Sequence, residues 1–438
     1  MRATLKLGVA LAALVGATNA QADSVITAAR MIDVESGRTI EHPAIFVGSD
    51  GRITSIADAR TVRWGSNVEH IDLGDRTLIP GLIDMHVHLS SLAEVGGYNG
   101  LQYTDSFWPI VAVRNARAML DAGFTTVRNV GSENFADIGL GQAIEAGYAI
   151  GPRVIGAGTS IGATGGHCDE TFFPPSFERT GGGVADSADA LRQRVRQMAK
   201  YGAEVIKICA TGGVFSRGRE VGQQQMSLEE MRAVVDTAHL MGLRVAAHAH
   251  GASGIRDAIR AGVDTIEHAS LVDAEGLRLA TQRAQPVWFS MDIYNTEYTQ
   301  AEGRRNGVLE DNLRKDREIA QIQRDNFRAA HRAGVRMVFG SDAGVMLHAQ
   351  APRQFRFMVQ YGMTPLQALQ AATRNAAQAL GRERDVGAIA QGRFADIAAV
   401  EGDPLTDITA LERVRAVVKG GRLVPRDATP QPAAPTAS

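Results

Sequence analysis

Apolar runs rich in Val, Ile and Ala recur at Leu78–Leu89, Thr125–Gly131, Arg153–Gly158, Val205–Thr211, Arg244–Gly251, Thr265–Ser270, Pro286–Met291 and Arg336–Gly344. Their length and β-branched content predict eight strands. Helical patterns fill most of the gaps, as at Ser187–Tyr201, Ser227–Met241 and Ser253–Ala261, each opening near a serine and stopping near Gly202, Gly242 or Gly262. Serine hydroxyls cap helix N-termini, and glycine accepts the left-handed backbone that ends a helix. Strands alternating with helices over residues 78–380 predict an α/β fold, a (β/α)8 TIM-like barrel whose chemistry lies at the C-terminal ends of its strands. A doubly wound open sheet is the alternative. No G-x-G-x-x-G turn follows the first strand, which weakens a dinucleotide-binding version of it.

The flanks have a different pattern. Ser24–Ile32, Ala44–Val47 and Ile53–Ile56 are short apolar runs between turn signals, and Asp396–Val400 and Val414–Lys419 match them near the other end. Residues 23–77 and 381–425 are expected to pair into one small β-sandwich domain built from both chain ends. Residues 426–438, rich in Pro, Ala and Thr, are expected to form a disordered tail. The segment from Glu297 to Arg332 is dense in Arg, Asp and Glu and predicts one or two long helices. A solvated face is the plain expectation, with a lid or an oligomer contact as the alternative.

At the start, Arg2 and Lys6 precede an apolar run from Leu7 to Ala17 and an Ala20-Gln21-Ala22 site. This is the pattern of a signal peptide cleaved near Ala22, and the run is too short to span a bilayer. The expected location is the periplasm or the medium, with no membrane partner. The 46 basic and 48 acidic residues give a net charge of −2, so no cationic surface is available for a nucleic acid. Cys168 and Cys209 are the only cysteines, too few for a disulfide scaffold, and a bridge between them is the less favoured reading.

The candidate chemistry lies at the ends of the apolar runs. His86 and His88 occupy alternate positions on one strand, so their imidazoles share a face and can chelate one cation. His248 and His250 repeat this arrangement on the fifth run, and either could be its ligand. His268 and Asp342 close the sixth and eighth. Lys207 falls within Val205-Ile206-Lys207-Ile208-Cys209, otherwise fit for the core. A buried ammonium must be neutralised, paired or modified. A neutral amine there can take up carbon dioxide, and the carbamate can bridge two metal ions. His167, Ser90, Tyr98 and Arg217 follow strands and are candidate substrate contacts, Arg217 through a bidentate pair with a carboxylate. Tyr294 and Met346 are candidate lining of an apolar pocket.

Together, His86-Val87-His88, Lys207, His248, His268 and Asp342 resemble the binuclear site of the amidohydrolase superfamily. Leu78-Ile79-Pro80-Gly81-Leu82-Ile83-Asp84-Met85-His86 resembles its first-strand signature, and Thr373-Arg374-Asn375-Ala376-Ala377 with Gly392-Arg393-Phe394-Ala395-Asp396-Ile397 its C-terminal one. Within the superfamily the chain is most similar to the imidazolonepropionase-related group, with its Xaa-Pro dipeptidases, aminoacyl carboxypeptidases and ochratoxin A-degrading amidohydrolases.

The resemblance implies two divalent ions, zinc by their imidazole and carboxylate ligands. It implies His86 and His88 on the more buried ion, His248 and His268 on the more exposed one, and N6-carboxylated Lys207 between them. Asp342 would ligate the buried ion and act as general base, then acid. His248 is the family position on its strand, which leaves His250 near the substrate, where it and His167 can aid catalysis. The implied substrate is a small amide or dipeptide losing its C-terminal amino acid, ochratoxin A included, and the implied assembly is a homo-oligomer, up to an octamer. A cyclic-amide or lactone hydrolase is the neighbouring alternative, and a non-catalytic metal-containing binding protein the one from another class.

Overall fold

The computed structural model describes residues 23–216 and 220–426. The expected signal peptide, Arg217 and the tail beyond residue 426 lie outside them.

The fold is α/β. Leu82–Val87, Phe124–Asn129 and Arg153–Gly156 form a three-stranded parallel sheet. Val205–Cys209, Arg244–Gly251, Thr265–Leu271, Trp288–Ser290 and Arg336–Val338 form a five-stranded parallel one. Backbone bonds link the two sheets at both edges. Ile161 N donates to Lys207 O at 2.8 Å and Cys209 N to Ile161 O at 2.9 Å, while Met85 N donates to Phe339 O at 2.9 Å and His88 N to Ala343 O at 2.7 Å. Helices cover the outer faces, and their apolar sides join the strands in one large core.

Two of the expected helices are capped as their sequences suggest. Ser187 accepts from Ala190 N, and Ser227 forms a reciprocal capping box with Glu230. Ala252–Ala261 differs: it starts from Gly251 with no side-chain cap, and Ser253 lies inside it. It does end as expected, at Gly262 with φ +105°.

The chain ends meet in a six-stranded sheet, in which Ile397–Val400 pairs antiparallel with Thr77–Pro80 and that strand pairs parallel with Arg30–Asp33. A four-stranded sheet of N-terminal strands lies beside it, and one apolar cluster joins Ile26, Ile45 and Ile53 of the second to Met31, Leu78 and Ile397 of the first. Two expected strands are each divided. Leu78–Leu89 breaks after Pro80, because Pro80 has no amide hydrogen to extend a ladder and a side chain at Gly81 would collide with Thr125. Ser24–Ile32 breaks after Thr27, and its halves belong to different sheets.

The charged segment forms two helices, Asn295–Glu302 and Glu310–Arg332. The longer one is not simply solvated: Leu313, Ile319, Phe327 and Ala330 are buried along one face. No helix among the described residues is long and apolar enough to cross a membrane.

The cysteines correct the sequence reading. Cys168 and Cys209 form a disulfide with Cα atoms 5.8 Å apart. The bond between Ile161 and Lys207 draws the two segments together, and sequence spacing cannot show that. The bridge closes a loop with a sequence separation of 41. Cys168→Ala is therefore expected to lower unfolding stability by about 2–4 kcal/mol, measured by denaturant titration under oxidising conditions, with the difference vanishing in reductant.

Candidate active site

A cavity of about 610 Å³ opens at the C-terminal ends of the parallel strands. Strand alternation turns His86 and His88 to the same side, with ring centres 5.4 Å apart, and does the same for His248 and His250, 4.7 Å apart. Lys207 enters from its own strand and is 3% exposed. His268 and Asp342 hold left-handed backbone at φ +70° and +56°. Such strain persists where the surrounding structure enforces it, commonly at functional sites.

The side chains form two groups of candidate ligand atoms. One atom from each of His248, His250 and His268 lies within 4.8 Å of the others, and the same holds for His86, His268 and Asp342. Asp342 Oδ1 is 3.4 Å from His86 Nε2 and 3.5 Å from His88 Nε2. The opposite ring nitrogens are engaged from behind. His86 Nδ1 meets Glu267 Oε2 at 3.0 Å, His88 Nδ1 meets Gly131 O at 3.3 Å, His250 Nδ1 meets Ser270 Oγ at 2.8 Å and His268 Nδ1 meets Asp292 Oδ1 at 2.7 Å. Partners of this kind fix ring orientation and leave Nε2 as the ligating atom. His248 Nε2 is buried with no hydrogen-bond partner among the described residues.

Burial governs the protonation of these groups. It holds His86, His248 and His250 well below the ordinary imidazole range and brings His88 down to about 4, with Lys207 reinforcing each. At His268 the Asp292 carboxylate outweighs burial and raises the imidazole. Burial draws Lys207 down to about 8 against the pull of Glu267, and pushes Asp342 up to about 7 with Asp292 adding to it. The protein thus gathers four imidazoles held neutral by burial, a fifth raised by Asp292, an amine brought down towards neutrality and the raised Asp342 carboxyl. Neutral imidazole and carboxylate donors, with one Nε2 left unmatched, fit divalent metal ions.

Of the other expected contacts, His167 and Ser90 line the cavity. His167 stacks on His248 at 4.0 Å and its Nδ1 is bonded to Ser216, while Ser90 Oγ lies 3.0 Å from Ser132 Oγ. Tyr98 stands outside the cavity wall, 45% exposed, with its hydroxyl directed at Phe172 O. Tyr294 and Met346 are core residues rather than pocket lining. Tyr294 turns its hydroxyl to Gln350 and Arg353.

Sequence reasoning missed the groups behind the imidazoles. Glu267 is fully buried and holds Arg128 Nη2 at 2.6 Å as well as His86. Its signal was available: Arg128 and Glu267 are charges inside apolar strands, and each needs a partner. Asp292 is bonded also by Asn295 Nδ2 at 2.6 Å and Gln323 Nε2 at 3.2 Å. Glu267→Gln leaves the Arg128 guanidinium buried without its counter-charge. It is expected to destabilise the fold by about 3–5 kcal/mol in denaturant unfolding.

The model of the amidohydrolase family matches residues 77–424. An ochratoxinase of Aspergillus niger is 29% identical over 326 residues, 69% of this chain and 65% of the ochratoxinase, so the match spans a little under two thirds of that relative's length. Among solved structures, a Xaa-Pro dipeptidase with methionine bound in its active site superposes with a TM-score of 0.85 at 35% identity, covering 92% of this chain and 99% of that one. The A. niger ochratoxinase structure superposes with a TM-score of 0.80 at 27% identity, covering 91% and 95%.

Proposed function

This chain belongs to the amidohydrolase family, and from that premise we propose that it hydrolyses amide C–N bonds, releasing the C-terminal amino acid of dipeptides or N-acyl amino acids, ochratoxin A among them. One observation carries the reading: the convergence of His86, His88, Lys207, His248, His268 and Asp342 on one buried cavity, with His248 Nε2 unmatched. Similarity to an ochratoxinase and to a Xaa-Pro dipeptidase supports the substrate class. The edge bonds support reading the eight parallel strands as one closed (β/α)8 barrel, and the pairing of Thr77–Pro80 within the six-stranded sheet moves its start from the expected residue 78 to Leu82, beside a β-sandwich domain built from both chain ends. A disulfide fits an exported protein, periplasmic or secreted.

In this reading His86, His88 and Asp342 would hold one divalent ion, and His248 and His268 the other. The Lys207 amine, on forming an N–C bond to carbon dioxide and giving up a proton, would add a carbamate to the same donor set. Two such ions, zinc by donor type, would supply Lewis acidity and make hydroxide available near neutral pH. Asp342 accepts the proton of the attacking water and returns it to the departing amine. Asn295, whose Nδ2 reaches Asp342 Oδ2 at 3.4 Å, steadies that carboxylate. His250, anchored by Ser270, and His167, anchored by Ser216, present ring nitrogens towards the developing oxyanion or the substrate carboxylate. Ser90 extends this polar wall.

The test is a panel of dipeptides, N-acyl amino acids, cyclic amides and lactones, incubated with the zinc-supplied protein and scored by mass spectrometry. The expected result is free amino acid from the linear amides, abolished by a chelator and restored by zinc. Turnover confined to rings would favour a cyclic-amide or lactone hydrolase. Metal-replete protein inert across the panel would contradict the enzyme reading.

A further inference from the structure

The helix Glu310–Arg332 turns a polar stripe into the cavity. Asn312, Asp316, Ile319 and Gln323 all line it, and their spacing places them on one helix face. Asn312 is 2% exposed, and its Oδ1 has no hydrogen-bond partner among the described residues. One turn further on, Asp316 is 5% exposed and accepts from two neutral donors, Thr296 Oγ1 at 3.1 Å and Gln300 Nε2 at 2.5 Å. A carboxylate has about four acceptor sites, so capacity remains. The basic neighbours along the helix are committed elsewhere. Lys315 pairs with Asp311 at 2.9 Å and donates to Ser216 O, and Arg324 pairs with Glu297 at 2.6 Å. Burial, reinforced by Asp292, pushes Asp316 up to about 6, which leaves it an anion at neutral pH. An unmatched acceptor and a buried carboxylate that forms no ion pair within 4 Å among the described residues, with Arg324 acting on it only from a distance, lie side by side on one cavity wall and are complementary to a cationic donor.

We propose that Asn312 and Asp316 form a subsite for a primary ammonium on the acyl side of the scissile bond, so that free dipeptides are preferred to N-acylated amino acids. This rests on the amide-hydrolase reading and narrows it. The α-nitrogen of a dipeptide is two bonds from the scissile carbonyl carbon, so its subsite must adjoin the reacting groups. Thr296, which donates to Asp316, directly follows Asn295, which reaches Asp342. The carboxylates of Asp292, Asp316 and Asp342 all line the cavity and turn the substrate's own carboxylate away from this wall. A lysine side chain on the acyl residue carries the same ammonium and is the second source to distinguish.

The experiment compares kcat/KM for Ala-Phe, N-acetyl-Ala-Phe, N-acetyl-Lys-Phe and N-acetyl-norleucyl-Phe. The proteins are zinc-supplied wild type, Asp316→Asn and Asn312→Leu, the last carrying the test should the first fail to fold. Wild type is expected to favour Ala-Phe over its N-acetyl form by about 30-fold, the scale of a hydrogen bond to a charged group. Asp316→Asn should erase most of that ratio while changing N-acetyl-Ala-Phe turnover less than about threefold, and Asn312→Leu should act in the same direction. A lead of the lysyl over the norleucyl substrate that depends on Asp316 assigns the ammonium to the side chain. Equal turnover of all four substrates, or variants that slow every substrate alike, overturns the subsite. Absence of phenylalanine release from all four overturns the hydrolase reading itself.

Discussion

Asp342→Asn is expected to lower kcat by about 10³-fold on any amide the wild type cleaves, within the range for loss of a positioned general base. The amide of Asn can neither take a proton from water nor return one to an amine. Its environment makes the substitution informative about chemistry rather than folding. Asp342 is buried, and burial with Asp292 nearby pushes it up to about 7. For an acid raised in this way, stability is present below its unfolded value and is lost as pH rises towards 7. A neutral isostere removes that cost, so the metal-free variant should melt no lower than metal-free wild type at pH 7.5. Steady-state kinetics and thermal melting read the two quantities separately. A variant retaining a tenth or more of wild-type kcat contradicts the assigned role.

Lys207→Met should be the second severe loss: turnover down by at least about 10³-fold and bound zinc reduced from two ions per chain to one or none. Methionine keeps the volume and apolar stem while deleting the amine. Burial holds Lys207 down to about 8, so below that pH the metal-free wild type keeps a disfavoured ammonium in the core. The sign for a depressed base is that stability falls as pH drops from the unfolded value through 8, and is constant below it. At pH 7 the metal-free variant is therefore expected to be more stable than metal-free wild type. Lower activity with higher apo stability distinguishes a functional lysine from a structural one. Elemental analysis and melting curves check both halves. Two ions and full turnover in the variant would remove Lys207 from the site.

Much of the centre was legible because strands alternate. A histidine or lysine inside a Val/Ile/Ala run has a defined side, and the pairs His86/His88 and His248/His250 and the lone Lys207 face the cavity as that periodicity requires, whereas His268 directly follows the inward Glu267 and reaches the cavity through its left-handed backbone. What alternation cannot supply is contact between separate elements. Glu267 and Arg128 were visible as charges on apolar strands, yet their pairing across the fold was not. Cys168 and Cys209 meet through the Ile161–Lys207 backbone bond, a contact that the sequence does not show and without which the bridge was the less favoured reading. In Glu310–Arg332 the density of Arg and Glu hid a single inward stripe at Asn312, Asp316, Ile319 and Gln323. Tyr294 and Met346 follow strands as pocket residues do, but local packing turns both into the core. The break at Pro80-Gly81 was written in the sequence and needed only the cost of proline in a ladder to be read.

The claim beneath these readings is that Lys207, four imidazoles and Asp342 assemble around a pair of cations. Anomalous diffraction from zinc-loaded crystals addresses it directly. The account predicts two metal peaks per chain, one against His86, His88 and Asp342 and one against His248 and His268, with continuous density from Lys207 Nζ to a carboxylate between them. A single peak, or a bare Lys207 amine beyond bonding distance of both, would contradict it.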